Sequence, residues 1–139
     1  MRSKRHILLI EDDRVDAMTV KRALRDIHVT NRLEIVKNGE EALIFLRNPG
    51  TEMPCLILLD LNMPRMNGIE FLKLAKQDDK LRRIPVIVMT TSSEEQDKLN
   101  SFNLGVAGYV IKPIDYLKFV ELLKTIDSYW TLSEIIEEK

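Results

Sequence analysis

Residues 56–60 read Leu-Ile-Leu-Leu-Asp, four consecutive apolar residues followed directly by a carboxylate. A run that is apolar at consecutive positions, without the alternation of a half-exposed strand, is typical of a strand in a parallel sheet with helices on both faces. A carboxylate that ends such a strand must be solvated, paired or bound to a metal. This stretch therefore predicts a buried strand with a functional group, Asp60, at its carboxyl end.

Similar apolar runs recur on both sides of this stretch, and amphipathic segments lie between them. Counting the central one, the runs span residues 7–10, 33–36, 56–59, 86–89 and 109–111. The amphipathic segments span residues 15–27, 40–46, 69–75, 94–102 and 117–126. Because parallel neighbours cannot be joined by tight turns, the alternation predicts an α/β layer fold with right-handed helical crossovers.

Turn and cap residues agree with these boundaries. Asn38-Gly39 and Asn67-Gly68 precede the second and third predicted helices, and Asp115 precedes the fifth. Asparagine and aspartate are preferred helix N-caps, and glycine beside them favours a turn. The punctuation thus supports the starts of the second, third and fifth helices.

Composition restricts the function classes. The chain has 139 residues with 45% apolar and 31% charged side chains, which is the size and character of one globular domain. Its net charge of -1 provides no field for nucleic acid or an anionic membrane. One cysteine, Cys55, and two histidines, His6 and His28, exclude an internal disulfide and a Cys/His zinc site. No apolar run reaches the length of a membrane span or signal peptide, so a cytoplasmic protein is expected.

Polar residues follow four of the five predicted strands. They are the run Glu11-Asp12-Asp13, Asp60, Thr90 and Lys112. Each has an ordinary structural explanation by itself: a helix cap, a strand residue or a solvated charge. In a parallel sheet, however, the carboxyl ends of strands meet at one edge, where ligands bind. Several carboxylates gathered there repel one another, and a hard cation such as Mg²⁺ relieves that repulsion.

These motifs, taken in order, resemble the receiver domain of response regulators. The resemblance rests on residues 7–13, on residues 58–64 with Asn67-Gly68, on Thr90, and on residues 108–113, and it covers residues 5–127. It implies a doubly wound, flavodoxin-like sheet of five parallel strands in the order 2-1-3-4-5. Residues 1–127 are then the receiver domain, and residues 128–139 extend its last helix.

The resemblance also assigns roles to the polar residues. Asp60 is the acceptor of a phosphoryl group from a histidine kinase. Asp12 binds Mg²⁺ directly and Glu11 binds it through water, joined by Asp60 and the backbone carbonyl of Asn62. Asp13 lies just outside the matched acidic pair and is expected to cap the first helix.

Three further residues complete the expected switch. Lys112 and the hydroxyl of Thr90 contact the phosphoryl group once it arrives, and Tyr109 matches the aromatic position that turns inward when the threonine moves. Thr91 occupies a position usually filled by alanine or glycine, so it is expected to narrow access to the phosphoryl group. The isomer of the Lys112–Pro113 bond, often cis in this family, is left open by the sequence.

More local resemblance suggests which receiver this is. Residues 62–68, residues 89–93 and Tyr129-Trp130 resemble the response regulators that partner bacterial phytochromes. A stand-alone regulator with a phytochrome-type kinase is expected, since no effector domain follows residue 127.

A homodimer is predicted through the fourth helix, fifth strand, fifth helix and C-terminal extension. In the fifth helix, a stripe that would face the sheet is Leu117, Val120 and Leu123, which leaves Phe119, Leu122 and Ile126 for a contact. The extension adds further apolar residues, namely Tyr129, Trp130, Leu132, Ile135 and Ile136. The alternative is that this tail folds back on its own domain.

Two other functions remain open. An aspartyl-phosphate hydrolase also combines an aspartate nucleophile with Mg²⁺ and a lysine, but it usually carries a second carboxylate two residues later, where this chain has Asn62. A pseudo-receiver that only binds a partner is the second alternative. The intact set of acidic, hydroxyl and lysine residues favours a signalling switch that catalyses only its own phosphorylation and dephosphorylation, and that is not otherwise an enzyme.

Overall fold

The computed structural model describes residues 4–63 and 65–132, without the side chain of Leu132. Its strands are β1 (Ile7–Ile10), β2 (Leu33–Val36), β3 (Leu56–Leu59), β4 (Val86–Thr90) and β5 (Gly108–Ile111). Its α-helices are α1 (Arg14–Asp26), α2 (Gly39–Arg47), α3 (Gly68–Lys76), α4 (Glu95–Asn103) and α5 (Tyr116–Leu132). A short 3₁₀ helix, Leu81–Arg83, precedes β4.

The five strands form one parallel sheet in the order β2-β1-β3-β4-β5. Every residue of β1, β3 and β4 is buried, because each of these strands has a neighbour on both sides and helices on both faces. The edge strands β2 and β5 are partly exposed. The predicted fold class and strand order are therefore confirmed.

The core lies in two layers, one on each face of the sheet. One layer contains apolar residues of α1 and α5, and the other contains apolar residues of α2 and α3. Helix α4 lies beside α3 and β5, and Ser101 is its only buried residue. Within the part of the chain that the structure describes, no helix has the length and apolar content needed to span a membrane.

Three helices begin at side-chain caps. Asp13, Asn38 and Asn67 each accept a hydrogen bond from the backbone N–H three residues later, at 2.9–3.0 Å. At α3 the bond is reciprocal, since the side chain of Glu70 accepts from the N–H of Asn67. Asp115 accepts the N–H of Leu117 at the start of α5. The predicted capping role of Asp13 is confirmed.

The stripe predicted for α5 is confirmed in part: Leu123 is buried and Val120 is half-buried against the core, as predicted. Phe119 is buried and Leu117 is 72% exposed, the reverse of the expectation. The buried or half-buried residues Phe119, Leu123, Ile126 and Trp130 follow spacings of four, three and four, which also suit a helix. The helix is turned so that Phe119 and Trp130 are buried in place of Leu117, because burying the two large aromatic residues removes more apolar surface from water.

Trp130 therefore belongs to its own domain's core. It is only 6% exposed and lies in the layer formed by α1 and α5. The prediction that Trp130 anchors a dimer is wrong, and for this residue the alternative, a tail that folds back, holds. Tyr129 is 61% exposed, whereas Leu132 (its side chain), Ile135 and Ile136 lie outside the described residues.

Candidate functional site

Four strands deliver polar side chains to the same edge of the sheet. Glu11 follows β1, Asp60 follows β3, Thr90 ends β4, and Lys112 follows β5. Strand register aligns them, since Ile10 pairs with Leu59 and Thr90 pairs with Ile111. The convergence expected from the sequence is present.

Three carboxylates lie close together at this edge. One oxygen from each of Glu11, Asp12 and Asp60 lies within 4.8 Å of the other two. Glu11 and Asp60 are buried, at 2% and 7% exposure, whereas Asp12 is exposed. The cluster is thus reached from solvent on the Asp12 side and is shielded on the other.

Lys112 provides positive charge to this cluster. Its Nζ donates a short hydrogen bond to Glu11 and lies 3.3 Å from an Asp16 oxygen and 4.0 Å from an Asp60 oxygen. The sequence predicted that Lys112 contacts the phosphoryl group, and it did not predict the contact of Lys112 with Asp16. The available signal was the position of Asp16 in the first turn of α1, next to the acidic run.

Burial and mutual contact shift the pKa values of Glu11 and Lys112. Burial raises the pKa of Glu11 to about 7, although the hydrogen bond from Lys112 acts in the opposite direction. For Lys112, burial acts to lower the pKa, but the hydrogen bond to Glu11 and the charges of Asp60, Glu11 and Asp16 outweigh it, so the pKa is raised. A cation bound at this edge would favour the ionised form of Glu11.

The donor set suits a hard divalent ion. Mg²⁺ and Mn²⁺ prefer oxygen ligands, and the three clustered residues all offer carboxylate oxygens. Asn62 is exposed, and its N–H lies 3.5 Å from an Asp60 oxygen, so its backbone is next to the cluster. The residues present fit such an ion.

Ser92 joins the two expected switch residues. Its N–H donates to the Thr90 hydroxyl oxygen at 3.2 Å, and its carbonyl accepts the Tyr109 hydroxyl at 2.9 Å. Its own hydroxyl donates to Asp97 in the first turn of α4 at 2.6 Å. Thr90, Tyr109 and α4 thus share one residue, Ser92, which the sequence analysis included only in the run 89–93.

Two other sequence features, Thr91 and the Lys112–Pro113 bond, can be located in the structure. Thr91 is exposed and lines a cleft of about 460 Å³ with Lys112 and Pro113. Its effect on access stays a prediction. Among the described residues every peptide bond is trans, including Lys112–Pro113.

Comparison with known families finds one match over most of the chain. The model of the family described as response regulator receiver domain matches residues 7–124. The response regulator Rcp1 of Synechocystis is 38% identical over 128 residues, covering 89% of this chain and 87% of Rcp1. The probable methanogenesis regulatory protein FilR2 of Methanothrix harundinacea is 36% identical over 127 residues, covering 89% of this chain and 82% of FilR2.

Solved structures agree with the sequence relatives. The phosphorylated cyanobacterial phytochrome response regulator RcpA has a TM-score of 0.89 and 34% identity, covering 96% of this chain and 99% of RcpA. The Mn²⁺-bound form of Rcp1 has a TM-score of 0.86 and 35% identity, covering 98% of this chain and all of that chain.

Proposed function

This chain belongs to the response regulator receiver domain family, and on that premise we propose that it is a phospho-accepting switch in which Asp60 receives a phosphoryl group from a histidine kinase. The observation that carries the proposal is the clustering of Glu11, Asp12 and Asp60 with the Lys112 Nζ at one sheet edge. Receivers are signalling switches, and we assign this chain no turnover of other substrates.

In the proposed transfer, a carboxylate oxygen of Asp60 attacks the phosphorus of a phosphohistidine in line. The new P–O bond forms as the P–N bond breaks, its electron pair stays on the ring nitrogen, and the imidazole leaves as the neutral ring with a proton on its other nitrogen. Asp12, Asp60 and the Asn62 carbonyl would hold Mg²⁺, with Glu11 acting through water. The ion supplies charge neutralisation at the phosphoryl oxygens.

The switch follows from an exchange of partners. The Lys112 ammonium, now bonded to Glu11 and Asp16, is close enough to Asp60 to pair with a phosphoryl oxygen there. If Thr90 turns its hydroxyl toward the phosphoryl group, the N–H of Ser92 loses its acceptor. The Ser92 carbonyl that holds Tyr109 then shifts, and so does the first turn of α4.

The partner kinase is proposed to be of the phytochrome type. RcpA is a cyanobacterial phytochrome response regulator, and it resembles this chain over nearly its whole length. Together with the resemblance of residues 62–68, 89–93 and Tyr129-Trp130, this supports a light-regulated phospho-donor.

A homodimer through α4, β5 and α5 remains part of the proposal, with a corrected residue set. Leu99 and Phe102 of α4 are 55% and 52% exposed and lie three residues apart, so they share one side of the helix. Ile111 of β5 is also exposed. These residues replace Phe119 and Trp130, which are buried.

The test is intact-mass measurement after incubation with acetyl phosphate and Mg²⁺. Wild type should gain one phosphoryl group, and Asp60→Asn should gain none while keeping its fold, because an amide is nearly isosteric but is not an effective nucleophile. Asp13→Asn is the matched control, since it makes the same chemical change next to the site and asparagine caps a helix as well as aspartate. Full labelling of Asp60→Asn would contradict the assignment.

The two alternatives predict other outcomes in the same assay. A hydrolase would turn over unrelated phosphomonoesters, and the exposed amide Asn62 at the usual position of its general acid argues against this. A pseudo-receiver would show no adduct in wild type.

A further inference from the structure

We propose that Gly39 and Arg65 are positioning residues for the metal and phosphoryl site. Together they join the segment after β3 to the amino-terminus of α2. The inference rests on the proposed function, in which the Asn62 carbonyl, in that same segment, is a metal ligand.

The contact between the two elements leaves little room for a side chain at position 39. The Gly39 N–H donates to the Met66 carbonyl at 3.0 Å. A Cβ on residue 39 would lie 2.8 Å from Cγ of Met66 and 3.0 Å from its carbonyl oxygen, closer than Cβ atoms normally approach. A larger residue would have to displace the Met66 side chain and move its carbonyl a few tenths of an ångström away from α2.

Arg65 contributes through its backbone. Its φ is +61°, in the left-handed region that residues other than glycine rarely adopt. Its guanidinium lies 3.8 Å from a Glu40 carboxylate, but both side chains are mostly exposed, so that ion pair contributes little. The left-handed turn immediately precedes Met66, whose carbonyl accepts the hydrogen bond from the Gly39 N–H.

The segment after β3 is also held by a hydrogen bond near Asp60. The Gly68 N–H donates to the Leu61 carbonyl at 3.1 Å, and a Cβ on Gly68 would lie 2.8 Å from the Asp60 carbonyl oxygen. Asn62 lies between this hydrogen bond and the Met66 contact. With both contacts present, the Asn62 carbonyl is held relative to Asp60 before any ion arrives, so binding need not order it.

The first experiment measures Mg²⁺ binding to the full chain by calorimetry, without a phosphate donor. Gly39→Ala should raise the Mg²⁺ dissociation constant at least fivefold. Alanine favours the first turn of α2, so loss of that helix cannot explain a weaker site. Gly50→Ala is the matched control beyond the other end of α2, because the nearest atom to a Cβ there is 3.6 Å away. Its dissociation constant should equal that of wild type.

The second experiment separates the effect of backbone conformation at position 65 from the effect of the guanidinium charge. Arg65→Gly and Arg65→Val both remove the guanidinium, but glycine accepts a positive φ and β-branched valine does not. The Mg²⁺ dissociation constant of Arg65→Gly should stay within twofold of wild type, and that of Arg65→Val should rise as in Gly39→Ala. Arg65 is exposed, so this pair decides the matter if Gly39→Ala does not fold.

The outcomes distinguish the inference from the proposed function. If wild type binds no Mg²⁺, the proposed metal site fails, and this inference fails with it. If wild type binds Mg²⁺ and both Gly39→Ala and Arg65→Val bind it equally well while unfolding at lower temperature, the two residues serve stability only and the inference is overturned.

Discussion

At the scale of single residues, Glu11 has a chemistry set by burial. Its pKa in the folded chain is about 7, above the ordinary value of 4.5. A raised carboxyl pKa means that the folded state holds a proton that the unfolded state releases, so Glu11 makes the metal-free protein less stable as pH rises from about 4.5 to about 7.

The affinity for Mg²⁺ should increase with pH, whereas the contribution of Glu11 to the stability of the metal-free protein decreases. Because Mg²⁺ favours the ionised carboxylate, we expect its affinity to rise from pH 6 to pH 8, with proton release on binding. Calorimetry in buffers of different ionisation enthalpy measures both quantities. Glu11→Gln should bind more weakly and lose most of this pH dependence. An affinity for the wild type that is flat over this range would contradict the role of Glu11.

His6 is a second buried titratable residue, at the opposite end of β1 from the site. It is 3% exposed, packs edge-on against Phe45 at 5.6 Å, and neither ring nitrogen has a hydrogen-bond partner among the described residues. Burial lowers its pKa, helped by the charge of Arg32. The stability that follows from a neutral His6 is present above the ordinary pKa of 6.5 and is lost as pH falls toward the lowered value.

We therefore expect His6→Leu to remove this loss of stability on acidification. Leucine has a similar volume and leaves no buried nitrogen without a partner, so the variant should be more stable than wild type, by about 1 kcal/mol. Its advantage should grow as the pH is lowered from 7.5 to 5.5. Urea unfolding at several pH values measures this. A constant difference between wild type and His6→Leu would show that His6 does not titrate in this range.

At the scale of elements, α5 is longer than a crossover helix needs to be. It runs from Tyr116 to Leu132, through the boundary at residue 127 that was predicted for the receiver domain. Its last turn carries Trp130 into the layer formed by α1 and α5. The extension therefore contributes to the stability of the domain.

Trp130→Ala should lower the free energy of unfolding by about 3 kcal/mol, because it removes a large buried side chain. Tyr129→Ala is the control on the same turn, and its effect should be about 0.5 kcal/mol because Tyr129 is exposed. Urea unfolding measures both, and a chain ending at Ser128 should behave like Trp130→Ala. If truncation leaves stability unchanged, the packing of Trp130 contributes nothing.

At the scale of the whole molecule, dimerisation depends on which apolar residues remain exposed. Leu99 of α4 meets this condition, and Ile44 of α2, 68% exposed, offers a matched control on a different helix. We expect Leu99→Ala to weaken self-association and Ile44→Ala to leave it unchanged, both before and after treatment with acetyl phosphate and Mg²⁺. Sedimentation velocity measures the effect. Equal weakening by both variants, or a wild type that stays monomeric at high micromolar concentration in both states, would remove α4 from the interface.

Local chemistry determined most of the fold and the membership of the site. The five apolar runs predicted the strands to within one residue, because strands buried on both faces need consecutive apolar side chains. The caps Asp13, Asn38 and Asn67 marked helix starts, because their side chains satisfy N–H groups of the first turn. Parallel topology then required Glu11, Asp60, Thr90 and Lys112 to meet at one edge.

Tertiary structure decided what depends on contacts between distant residues. Helical spacing left open which residues beside Leu123 face the core, and packing against α1 and the sheet buried Phe119 and Trp130 and left Leu117 exposed. The pairing of Lys112 with Asp16, 96 positions apart, depends on where α1 begins relative to β5. Likewise, Gly39 and Met66 belong to different units of the fold, and only their packing brings the N–H of one to the carbonyl of the other. A periodic pattern specifies which faces are apolar, whereas these partners are set by how the faces meet.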